Sequence, residues 1–412
     1  MNHSDSEFQS RKPSLPHPPP LTLHKECTMA HDIYDTLLTS AETNGVDAML
    51  EVLANNLATQ ERWHALFDVR LIQNRLAIGL SPVGDTGTID SATRDKLDNA
   101  SLKACREVGW PLLDRGDVAE AWMYLRASCD ASEVATRLSA LVDRPECAEG
   151  IVRVALWEGV DPALGLSVVL RDQGTCSGIT AFDQASGHIS TAHREGAIEV
   201  LINHIHRELQ NAIAADMARR GRETSPNDSI PQLLALVEDI HNDSGFHLDV
   251  SHLASVMRIA RPSTHPITLS KSWELAMYGR RLPADLCYAG ESPFEDLYKA
   301  SCLWFGAQIG KENIDHALEY FSTIESATSP AEEGTYPLEV IVTLLHRVGR
   351  SQEALDIMLK RLPENTPTSG LLPSVVLLAQ AAHAYESLRN ICRQRGDEVT
   401  FATTLVLEKS PR

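Results

Sequence analysis

The sequence is short of positive charge, aromatic rings and long apolar runs, and it lacks the spaced motifs that mark many catalytic families. Only 37 Lys and Arg stand against 56 Asp and Glu, a formal net charge of −19, which argues against a surface that neutralises a phosphate backbone. No apolar stretch reaches the about 18 residues that a membrane helix needs. The best candidates, 151–170 and 371–384, are broken by Glu158, Gly159 and Asp161 or are too short. The eight cysteines never come closer than 15 residues, so a Cys-x-x-Cys zinc or redox pair is excluded, and reduced, mostly buried thiols in a cytoplasmic setting are expected. There is no Gly-x-Gly-x-x-Gly, no Gly-x-Ser-x-Gly and no His-Glu-x-x-His. The stretch from Gly306 to Glu312 has the wrong glycine spacing for a phosphate loop, with Glu312 where a magnesium-holding hydroxyl belongs.

What is present is helical periodicity. Trp63, Leu66, Phe67 and Leu71 recur at i, i+3, i+4 and i+8, and Ala354, Leu355, Met358, Leu359 and Leu362 mark another stripe. No segment alternates with period two, so the chain reads as all-α. Turn-like clusters at 81–85, 144–145, 221–228, 261–263, 290–293 and 363–370 cut it into segments of about 10 to 30 residues. Asp249 is placed to cap a helix beginning at Val250, with Leu248 and Leu253 at the two positions of a hydrophobic staple. The Pro-rich stretch 1–28 cannot bury enough surface to order itself and is expected to be disordered. Met29, just before the first helical segment, is the expected start of translation, which the intact mass of the natively expressed protein checks.

Two stretches share a Gly followed five residues later by Ala: Gly116 with Ala121, and Gly349 with Ala354. Such a Gly ends one helix in a left-handed conformation, and the Ala lets the next helix approach closely. Both resemble the turn and second helix of the tetratricopeptide repeat, a 34-residue helical hairpin. Gly109 and Leu125 match further positions of the first repeat; in the second, Met358 matches and Val342 stands where a small residue is expected. A looser relative runs from Gly310 through Ala317 to Phe321, and a weaker one from Arg395 to Phe401, where Phe401 replaces the Ala. Glycines 310, 349 and 396 are 39 and 47 residues apart, so the period is irregular, and the pieces cover about a third of the chain. The same spacing marks any tight helical hairpin, and both readings imply stacked antiparallel hairpins.

The resulting expectation is an α-solenoid: a tail at 1–28, N-terminal hairpins at 29–174, an irregular central region at 175–290 and tetratricopeptide-like repeats at 291–412. The resemblance implies a protein-interaction scaffold that binds a protein or peptide partner, while the charge and the lack of long apolar runs lead to the expectation of no nucleic acid and no membrane partner; the oligomeric state is open. A purely structural role is a further possibility.

Half of the 16 histidines lie between 188 and 265, and these carry the alternative of a metal-binding or ligand-binding enzyme. On a helix from Thr191 to Gly221 with apolar centre Ile198, Leu201, Ile202, Ile205, Leu209 and Ile213, one flank holds His193, His204 and Glu208. The other flank holds Glu195, Glu199 and His206. The i, i+4 pair His204 and Glu208, joined by His247 and His252, is the candidate site for a divalent metal or an anion. No other cofactor is implied. The plainer reading has these histidines bridging core and solvent, Asp249 acting as a cap and Glu208 pairing with an exposed cation. Cys176, in the Gly-flanked run 174–183, is expected as a buried thiol at a close helix crossing rather than as a nucleophile. Arg219, Arg220 and Arg222 are expected to answer a helix C-terminus.

Overall fold

Short polar side chains open many of the helices by accepting the backbone N–H groups that the first turn leaves unbonded. Asp161 takes Leu164 N at 3.0 Å, Asn313 takes His316 N at 2.9 Å and Ser374 takes Leu377 N at 3.2 Å. Asp249 accepts from Ser251 N at 2.8 Å and His252 N at 3.3 Å, so the helix starts at Val250 as expected, with Leu248 and Leu253 both buried. Each such cap contributes about 1 kcal/mol.

The structure is a computed structural model that describes residues 27–84, 89–237, 248–363 and 367–409, with backbone alone for 27–32. Of the tail expected over 1–28, residues 1–26 lie outside the described set, and Cys27 and Thr28 open the first helix. Among the described residues there is no strand, only an isolated bridge between Ala289 and Asp296, and no helix is long and apolar enough to cross a membrane.

The chain divides into two compact units, and the expected boundaries at 174 and 290 both fall inside the second. The first, as described, holds 27–115 and 123–128. It contains α1 (Cys27–Asn44), α2 (Val46–Thr59), α3 (Trp63–Ala77), α4 (Ser91–Arg115) and the end of α5 (Val118–Leu125). Successive helices pack on one another around Leu50, Ala54, Leu66, Val108, Leu112 and Leu125. Gly109 serves a close approach there: a Cβ would stand 2.6 Å from the Leu125 side chain. Arg70 ties three helices together, donating to Glu107 on α4, Glu51 on α2 and its own neighbour Gln73.

The second unit begins with the start of α5 and α6 (Ala131–Leu141), then α7 (Ala148–Ile151) passing into a wide turn at Val152–Trp157. Next come α8 (Pro162–Ala185), α9 (Thr191–Arg219), α10 (Ile230–Ala235), α11 (Val250–Ala260) and α12 (Pro266–Gly279). The C-terminal part holds α13 (Leu297–Gln308), α14 (Ile314–Ala327), α15 (Tyr336–Arg347), α16 (Ser351–Arg361), α17 (Val375–Ala382), α18 (Tyr385–Arg395) and α19 (Glu398–Lys409). Most sequence neighbours pack on each other, α8 on α9, α12 on α13, α15 on α16 and α18 on α19, and one apolar core runs from Leu156 to Cys392.

Its centre gathers rings that the chain has few of. Trp304 lies edge-on to Phe321 at 6.1 Å and to Phe294 at 6.2 Å. Arg347, whose guanidinium stands 5.3 Å from the Trp304 ring, donates to the carbonyls of Arg261, Pro262 and Ser263 at 3.1, 2.8 and 2.9 Å. One α15 side chain thereby holds the corner between α11 and α12. Burial pushes the Arg347 pKa down to about 10.

One expectation is corrected by this architecture, and another is extended. Cys176 is exposed, because Gly174, at φ 81°, breaks α8 and the resumed helix turns Gly178 inward instead. A Cβ on Gly178 would stand 2.3 Å from Leu170, so Gly178 and not the thiol makes the close crossing. The arginines after α9 are placed by more than a helix end. Arg219 and Arg220 donate to the buried Asp216 at 3.0 and 2.8 Å, and Arg222 donates to the Leu236 carbonyl.

Candidate functional site

The central histidines sit on α9, whose apolar stripe from Ile198 to Ile213 is buried as the 3.6-residue period requires. Its two flanks face different neighbours. On one, His204 and Glu208 approach to 4.0 Å with Thr175 between them, the Thr175 hydroxyl lying 3.1 Å from His204 Nε2 and 3.3 Å from Glu208 Oε2. Thus Glu208 answers a hydroxyl and an imidazole rather than an exposed cation. His252 is half-buried on the first turn of α11, where its backbone N–H completes the Asp249 cap. The Ser251 hydroxyl, which donates to Asp249, holds that carboxyl below its ordinary pKa. His247 lies outside the described residues. Among the described residues no group of three or more His, Cys, Asp or Glu is placed to hold a metal ion.

Burial lowers the His204 pKa, against the opposing pull of Glu208. The neutral ring is therefore the form the fold prefers, and the sign follows. Stability from this group is complete above its ordinary value of 6.5 and is lost as pH falls through that value toward the lowered one. His204→Gln is expected to lose less melting temperature than the parent between pH 7.5 and pH 5. Thermal melts at the two pH values check this, and equal losses in both proteins contradict it.

The other flank of α9 faces α12 and forms the more developed site. Glu195 accepts from Thr264 N at 3.1 Å and from the Ser263 hydroxyl, fixing the start of α12. About two turns further, Asn203, His206, Arg207 and Gln210 follow i, i+3, i+4, i+7 spacing, and on α12 Ile267, Ser270, Lys271 and Glu274 repeat it. These stripes, with the 226–229 turn, line a cleft of about 730 Å³. Inside it His206 Nε2 is 2.8 Å from Glu274 Oε2, with side chains only 9% and 15% exposed, so the carboxylate fixes the ring. The same oxygen accepts from Ile230 N at 3.1 Å, which anchors α10. Lys271 Nζ donates to Asn203 Oδ1 at 2.6 Å, and Gln210 Nε2 donates to the Asp228 carbonyl at 2.8 Å.

An imidazole held by a buried carboxylate and an ammonium held by a neutral amide give this cleft orientation and charge together. Periodicity placed His206 on its flank of α9, but Glu274 and Lys271 are 68 residues from their partners. The available signal was the polar stripe of α12, Ser270, Lys271 and Glu274, beside an inner side built mainly from Leu269, Leu275, Ala276 and Tyr278. Neither a scan against protein-family models nor a search of curated proteins finds a match to this chain.

Proposed function

We propose that the chain is a protein-interaction scaffold, a tetratricopeptide-like α-solenoid that binds a protein or peptide partner. The observation that carries this reading is the C-terminal succession of helix pairs that close on left-handed glycines. Gly310, Gly349 and Gly396 have φ of 69°, 85° and 68°, and Ala317 and Ala354 are fully buried on the second helices. Gly116, at φ 108°, repeats the device early in the chain, with Ala121 buried. Two surfaces suit a partner: the outer side of α19, where Val399 and Val406 are 78% and 63% exposed, and a hollow of about 110 Å³ lined by Met358, Leu359, Leu362, Val375 and Leu388. The charge of −19 favours basic partners through association rate. Cys147, Cys176, Cys287, Cys302 and Cys392 are free thiols, which suits the reducing cytoplasm.

The test is purification of the full chain from native extract beside a Val399→Asp/Val406→Asp variant, with cross-linking and mass spectrometry of both. The expected result is one partner at fixed stoichiometry with the parent and its loss from the variant at unchanged melting temperature. A parent that purifies without a stoichiometric partner, or a partner held equally by both, overturns the reading.

A further inference from the structure

Two cations line the α9–α12 cleft without a carboxylate partner among the described residues. Among the described residues, half-buried Lys271 donates its ammonium to the neutral Asn203 amide alone, while exposed Arg207, on the opposite helix, makes no ion pair or hydrogen bond. The acids of the cleft meet other donors: Glu274 accepts from His206 and from Ile230 N, and Asp228 accepts from Ser225 N at 2.7 Å. A partly desolvated ammonium bound only by an amide has unmet electrostatic demand, which an anion answers far better than water in a recess. The volume of about 730 Å³ is that of a small-molecule site, and exposed Pro266, Ile267 and Pro226 supply an apolar rim.

We propose that this cleft binds a small organic dianion, a phosphate monoester or a dicarboxylate, held between Arg207 and Lys271 with the Ser270 hydroxyl beside them. His206 and Glu274 are positioning residues: they fix α9, α12 and α10 relative to one another and so set the separation of the two cations. The scaffold reading does not depend on this site, nor this site on the scaffold reading.

Isothermal titration of the full chain with glycerol 3-phosphate, succinate and inorganic phosphate at constant ionic strength tests it. The expected result is saturable binding of at least one of the first two, weakened at least about tenfold in Arg207→Gln/Lys271→Gln and also weakened in Arg207→Gln alone, whose exposed side chain has no structural partner to lose. A preference for glycerol 3-phosphate assigns the phosphate source, and a preference for succinate the dicarboxylate; either supports the proposal. Saturable binding of inorganic phosphate alone, no binding of any probe, or affinity unchanged in the variants overturns it.

Discussion

Trp304→Ala is expected to destabilise the protein by about 3–5 kcal/mol, in the range that emptying a large aromatic site costs. The side chain is fully buried and meets Phe294 and Phe321 edge to face, so truncation removes transfer free energy and two ring contacts together. It also removes a donor, since Trp304 Nε1 bonds the Arg261 carbonyl at 3.3 Å, and it strips one face from the Arg347 guanidinium. A half-buried cation whose pKa is already depressed to about 10 has little tolerance for a void beside it. Denaturant unfolding measures the loss, and a change below about 1 kcal/mol would show that the site collapses onto itself. Trp304→Phe separates the parts: it keeps a ring and loses the donor, so its expected cost is smaller, about 1–2 kcal/mol.

Gly279→Ala is expected to destabilise by about 1–3 kcal/mol even though helix propensity favours alanine by close to 1 kcal/mol. Gly279 ends α12, and an added Cβ would stand 2.2, 2.5 and 2.6 Å from ring atoms of Tyr298 on α13. Tyr298 is itself 2% exposed, so its ring has nowhere to go without moving one helix against the other. Steric overlap and propensity act in opposite directions here, and the sign of the measured change decides between them. Combining the substitution with Tyr298→Ala is expected to cost less than the sum of the single changes, because the overlap disappears with the ring. Additive costs in that cycle would place the strain elsewhere.

How much of this was legible in the sequence follows from the range of each interaction. Helical class, the Asp249 cap, the buried stripe of α9 and the glycine turns are local, and the residues that decide them lie within a turn or two of one another. The orientation of Cys176 was not legible, because it depends on a break at Gly174 inside what reads as loop or helix. The two-unit division near Arg115 was not legible either, since it falls inside a segment whose motif reads as one continuous hairpin. At the candidate site, spacing found His204 with Glu208, a pair within one helix. It could not find Thr175 between them, nor join His206 to Glu274, because those distances are set by how α9 packs on its neighbours.

The Arg347 clamp has a consequence for how the chain is made. The carbonyls of Ser263 and Pro262 find a donor in Arg347, 84 and 85 residues later in the chain, while that of Arg261 also meets Trp304, 43 residues on. At a synthesis rate of about 5–20 residues per second, the corner is synthesised roughly 4–17 s before Arg347 exists to hold it. Until then the Pro262 and Ser263 carbonyls must find other partners, and the α11–α12 corner is completed only when α15 packs back onto it.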